Sequence, residues 1–123
     1  MRPVILTGLR PSQVPIGWIV IKNQDQWDQF WSQHSSQPAP EIDFDQFHLV
    51  GVFLGQKPNP GYSVKIIEAR EYPEKVVVQA GERTPSPGGV YIQVIVYPYD
   101  AVLIPETDKK IEVELKKEEP GSS

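Results

Sequence analysis

The hydrophobic pattern of this chain has a period of two over much of its length, the period of a pleated strand. Residues 4–9 and 18–21 are short apolar runs separated by the turn-prone Arg10-Pro11-Ser12-Gln13-Val14-Pro15, and they read as two strands, the first at an edge. Residues 48–54 are apolar on both alternate faces, as expected of a central strand covered on each side. Tyr62, Val64 and Ile66 alternate with Ser63 and Lys65, and Val76-Val77-Val78 follows the turn-like Glu71-Tyr72-Pro73-Glu74-Lys75, which predicts an antiparallel hairpin. Val90, Ile92, Val94 and Val96 share one face of the next predicted strand, and Tyr91, Gln93, Ile95 and Tyr97 share the other. Residues 101–104 and 111–115 complete the strands.

One segment has the helical period instead. Trp27, Phe30, Trp31 and His34 recur at i, i+3, i+4 and i+7, Asn23 stands where a cap belongs, and Gln26 follows it in capping-box spacing. Gln24, Asp25, Asp28, Gln29, Ser32 and Gln33 occupy the opposite, water-compatible face. The helix is expected to begin at Gln24 and end at Ser35, to pack its aromatic face on a sheet, and to be stopped by Pro38 and Pro40. The fold class that follows is α+β and mainly β: an antiparallel sheet or sandwich of about seven strands with one amphipathic helix packed on it.

Composition agrees with this reading. Val and Ile number 25 against 6 Leu, and branching at Cβ suits strands better than helices. A length of 123 residues fits one domain able to bury a core without staples. Thirteen prolines, roughly twice the average usage of about 5%, fall between the apolar runs and mark loops and edges. Residues 116–123 carry no apolar side chain and read as a flexible tail after a domain spanning residues 1–115.

Charge and cysteine content narrow the function classes. A net charge of −4 is no field for gathering nucleic acid or anionic lipid, so neither is an expected partner. The absence of cysteine removes disulfides and thiolate chemistry from consideration. The apolar stretch after Met1-Arg2-Pro3 is too short for a signal h-region, and no run approaches a membrane span, so neither a signal peptide nor membrane insertion is expected of this chain.

Candidate chemistry is sparse. His34 and His48 have no second group at metal-site or triad spacing and read as structural histidines, His34 on the buried helix face and His48 at the head of a core strand. Glu68 with Glu71, and Asp43 with Asp45, read as solvated surface acids, not as acid–base pairs. No nucleophile elbow, phosphate-binding loop, zinc-protease motif or dinucleotide fingerprint occurs. No catalytic residue, metal ligand or cofactor is therefore expected, and the chain reads as no enzyme. Trp27 and Trp31 read as core residues, whereas Trp18 is open to either packing or sugar stacking. Lys109-Lys110 and Lys116-Lys117 sit beside acids and read as solvated pairs.

Three loop elements stand out. Lys57-Pro58-Asn59-Pro60-Gly61-Tyr62, then the loop from Thr84 that ends in Pro87-Gly88-Gly89, and then Tyr97-Pro98-Tyr99 before Asp100, each combine proline or glycine with a nearby tyrosine. Proline and glycine preset a loop's shape, and tyrosine offers contact area with few rotors to freeze, so together they would form a rigid interaction edge. Ordinary turns need the same residue types.

Trp27-x-x-Phe30-Trp31-x-x-His34, Ile42-Asp43-Phe44, Val52-Phe53-Leu54-Gly55-Gln56-Lys57-Pro58 with Gly61-Tyr62-x-Val64, and Tyr97-Pro98-Tyr99 together resemble the C-terminal domain of the protease-complex subunit PrcB. The resemblance runs from about Trp18 to Leu115. It implies a small β-rich domain, usual in exported or cell-envelope bacterial proteins, whose named member helps assemble or stabilise a surface protease. That family has no established catalytic residues to carry over. It tends to show a Thr-Gly-Gly-Tyr-like turn where this chain has Asn59-Pro60-Gly61-Tyr62, and Pro60 cannot take a positive φ.

The loop order is also similar to that of chagasin-type cysteine-protease inhibitors. Here two threonines of their first loop are missing, Tyr97 stands in place of an arginine, and the predicted helix has no place in their sandwich. The expected function is a non-enzymatic protein-interaction module that binds or stabilises a protease or other protein through the rigid loops. The alternatives are a small-ligand or carbohydrate-binding β domain using Trp18 and tyrosines, and an inhibitor of chagasin-like mode.

Overall fold

In the computed structural model, which describes residues 1–118, the apolar pattern resolves into two sheets and a helix stacked as three layers. The strands are β1 (Arg2–Pro3), β2 (Gly17–Ile21), β3 (Phe47–Phe53), β4 (Ser63–Glu71), β5 (Lys75–Arg83), β6 (Tyr99–Pro105) and β7 (Lys110–Glu118), and the helix is α1 (Gln24–His34). The first sheet has the order β1-β6-β3-β2 and the second β4-β5-β7.

β3 is the middle of the molecule, and its two-faced apolar pattern has a direct cause. Leu49 faces the helix side, where it packs with Leu6, Ile21, Trp27, Trp31, Ile42, Ala101 and Leu103. Val50 and Val52 point the other way, into a second core formed with Val102 and Ile104 and with Ile66, Val76, Val78 and Ala80 of the opposite sheet.

The helix forms as its spacing predicts. The Asn23 side chain accepts the Gln26 N–H at 2.8 Å, while the Gln26 side chain reaches past the cap to the Lys22 N–H at 2.9 Å. Trp27 and Trp31 are buried, and their indole N–H groups donate to the Pro40 and Gln37 carbonyls at 3.1 and 2.7 Å. The same two residues thus fill the core and tie down the chain that leaves the helix. His34 is only half-buried, with Nδ1 2.8 Å from the Phe30 carbonyl oxygen.

Four expectations need correction. The first strand is confined to Arg2–Pro3; a turn at Thr7 and Gly8, closed by the Leu9 N–H on the Leu6 carbonyl, diverts the chain and drops Leu6 into the core. The sheets are not wholly antiparallel, because β7 pairs parallel with β5. That strand runs on to Glu118, so residues 116–118 are paired with Gly81, Glu82 and Arg83 instead of forming tail; the rest of the expected tail lies outside the described residues.

The fourth correction concerns residues 90–97, which form no strand. Only Val96 is bridged, to Lys57. β5, the strand before it, already has β4 and β7 on its two sides, and β6, the strand after it, already has β1 and β3, so neither strand adjacent in the chain has a side free for this segment. Strand propensity needs a partner backbone before it becomes a strand.

Candidate interaction edge

β3 ends at Phe53, β4 starts at Ser63, β5 ends at Arg83 and β6 starts at Tyr99, and the three proline- and glycine-rich loops connect these ends. Lys57 and Val96 exchange both backbone hydrogen bonds at 2.9 and 3.0 Å, and the Leu54 N–H donates to the Pro98 carbonyl at 3.0 Å. The Tyr97 hydroxyl meets Gln56 Oε1 at 3.4 Å. These bonds join the first loop to the third.

Within the first loop, Asn59 Oδ1 accepts the Gly61 N–H at 2.9 Å, an Asx turn that does not need positive φ at Pro60. Gly61 is required here for space. A Cβ at this position would lie 2.8 Å from Tyr91 Cε1 and 3.0 Å from Pro85 Cγ, so the first loop rests directly on the second.

The second loop closes through the Gly89 N–H on the Ser86 carbonyl at 3.0 Å, with Pro87 and Gly88 as the central pair and Gly88 at φ 76°. Proline followed by a positive-φ glycine is the demand of a type II turn. The Ser86 N–H also donates to the Tyr91 hydroxyl at 3.0 Å, which pulls that phenol's pKa below its ordinary value.

The candidate residues differ in how they are presented. Pro58, Pro60, Pro87, Gly88 and Gly89 are exposed, and Lys57, Asn59, Gly61, Tyr62, Tyr97, Pro98 and Tyr99 are half-buried. Tyr99 belongs more to the core than to the edge: its ring stacks on Phe53 at 5.4 Å, and burial raises its hydroxyl pKa. Lys57 places its ammonium 5.2 Å from the centre of the Tyr62 ring and 3.8 Å from Glu82, whose side chain is 8% exposed.

Sequence reasoning missed Glu82, Pro85 and Tyr91 as the groups that hold the loops together. Glu82 offered a faint signal, being an acid at the inward position of a strand after Val76, Val78 and Ala80.

Trp18 is 58% exposed on β2, in a cross-strand row with Val52 and Asp100, and so stands at this same end of the first sheet. At the opposite end of β3, buried His48 lines a hollow of about 510 Å³ with Lys22, Phe44, Asp45, Glu106, Thr107 and Asp108. Among the described residues, no group of three or more His, Asp or Glu side chains is placed to hold a metal ion. No helix of the described chain is long and apolar enough to cross a membrane.

The segment that carries all three loops, with β3 to β6 around them, has a counterpart among known families. Residues 48–105 match the PrcB C-terminal family. The match contains every candidate loop residue but is narrower than the resemblance from Trp18 to Leu115, leaving out β2, α1 and β7. No curated protein and no solved structure matches the chain.

Proposed function

We propose that this chain is a non-enzymatic protein-interaction module that binds or stabilises a protease through the edge built from Lys57-Pro58-Asn59-Pro60-Gly61-Tyr62, Pro87-Gly88-Gly89 and Tyr97-Pro98. The observation that carries the reading is the mutual bracing of the loops, through the Lys57–Val96 bridge and the seat of Gly61 on Pro85 and Tyr91. Loops already held in shape lose little conformational entropy on contact, which favours recognition by a preformed surface. The PrcB C-terminal match over residues 48–105, together with the protease-complex role that the resemblance implies, supports a protease as the partner.

The test is affinity capture from lysate with the wild type and with Pro58→Asp/Pro87→Asp, two exposed changes away from the internal loop contacts. A protease recovered by the wild type and lost by the variant, with both proteins equally folded by circular dichroism, is the expected result. Equal recovery of every captured protein by both would overturn the reading.

The exposure of Trp18 favours a second reading, a carbohydrate-binding face. Trp27 and Trp31 are buried, so quenching of tryptophan fluorescence by a soluble glycan reports on Trp18. Quenching that survives Trp18→Phe would remove this reading.

A further inference from the structure

Residues 90–95 combine features that are costly together in water. Val90 is 97% exposed, and Ile92, Val94 and Ile95 are all exposed. Among the described residues, no backbone hydrogen bond reaches this segment. From Thr84 to Tyr99 no residue is charged, in a chain whose residues are 23% charged. Lysine, proline and bulges are the usual devices that keep an edge from pairing with another chain. Residues 90–97 contain neither lysine nor proline.

The one anchored residue sets the direction of the free backbone groups. Val96 directs both its N–H and its C=O at Lys57. In an extended run these groups alternate sides residue by residue, so those of Tyr91, Gln93 and Ile95 point to the side opposite Lys57. No residue of the run has a positive φ, and Gln93 and Ile95 line one shallow hollow against Gln56, Lys57 and Pro58, as alternate residues of an extended run should.

We propose that residues 90–96 pair antiparallel with the same segment of a second copy of this chain, about a two-fold axis through Gln93. This register sets Gln93 opposite Gln93, Tyr91 opposite Ile95 and Ile92 opposite Val94. Aromatic with β-branched and β-branched with β-branched are favourable cross-strand pairs, and no charge is brought against its like. The backbone groups of Tyr91, Gln93 and Ile95 become the hydrogen-bonded positions of the new ladder, and the two-fold closes the contact at two copies. Lys57 lies on the other side of the strand, so the contact is distinct from the protease-binding reading and goes beyond it.

The experiment is light scattering with size exclusion on the full chain from micromolar to near-millimolar concentration, applied to the wild type, Gln93→Lys, Gln93→Glu and an equimolar mixture of the two variants. Gln93 is exposed, so neither change disturbs the core. The wild type is expected at twice the chain mass, each charged variant alone at the chain mass because like charges then meet on the axis, and the mixture again at twice the chain mass. Hydrogen exchange on the wild type should show protected amides at Tyr91, Gln93 and Ile95 but not at Ile92 or Val94. A monomeric wild type at every concentration, species larger than two copies, a charged variant that still dimerises alone, or dimerisation without that alternating protection would each overturn the proposal.

Discussion

The Ile66 N–H of β4 donates to Asp100 Oδ2 of β6 at 2.7 Å, a side-chain bond from one sheet to the backbone of the other. Asp100 Oδ1 meanwhile accepts the Ala101 N–H at 2.9 Å. Beyond Ile66 the pairing of β4 with β5 slips by one residue, from Ile66–Ala80 to Glu68–Gln79. The carboxylate therefore holds the two layers together beside a bulge and directly below the loop edge. Asp100→Ala is expected to cost about 1–3 kcal/mol by leaving a part-buried amide without its acceptor. Asp100→Asn, which keeps one acceptor oxygen, should cost less. Urea unfolding of the three proteins measures both.

Lys57 and Glu82 make a second asymmetric pair, the acid being the more buried partner. Lys57→Ala leaves Glu82 in the sandwich end without a counter-charge, and a loss of about 1–3 kcal/mol is expected. Adding Glu82→Gln to that variant should recover part of the loss, because a neutral amide costs less to bury than an unpaired carboxylate. A double-mutant cycle by thermal unfolding checks this, with strict additivity as the contrary result.

Gly61→Ala tests the seat of the first loop on the second. The added methyl group must displace Tyr91 and Pro85, and a penalty of about 1–3 kcal/mol is expected for the overpacking. The Tyr91 ring resonances should shift in the NMR spectrum while those of Trp27 and Trp31, in the distant helix-side core, stay in place.

His48 ties stability to pH. Its Nδ1 is buried without a hydrogen-bond partner, and its pKa lies below 6.5, chiefly through burial and then through the charge of Lys22, against the opposing pull of Glu106 and Asp108. Asp45 lines the same hollow. A depressed imidazole pKa means that the unfolded chain takes up the proton first as pH falls. The contribution is therefore full above about pH 6.5 and is lost as pH falls through the folded-state value. In His48→Phe the decline of melting temperature below pH 6.5 should be shallower than in the wild type; parallel curves would show that His48 does not contribute.

Much of the architecture was legible because its signals are local. The i, i+3, i+4 row of Trp27, Phe30 and Trp31 marks a helix face whatever it packs on, and the Asn23 cap acts on the next turn alone. The apolar residues on both faces of β3 identify a strand covered on each side. Sequence also located the candidate loops, since Pro58, Pro60, Pro87 and Gly88 state their own backbone preferences.

Residues 90–97 show where local reasoning stops. Their alternation is as regular as that of β4, yet β4 is a strand and they are not: β4 pairs with β5, whose other side β7 takes in parallel, and β6 is flanked by β1 and β3, so neither strand next to the segment in the chain has a side left for it. The meeting of Lys57 with Val96, of Gly61 with Tyr91, and of Ile66 with Asp100 likewise joins residues far apart in the chain. The sequence by itself determined the helix, most of the strands and the stiffness of each loop, since torsional preference and side-chain period belong to neighbouring residues. Only the tertiary structure decided which strands found ladders and that the loops share one edge, because a backbone hydrogen bond needs a partner and the order of packing assigns it.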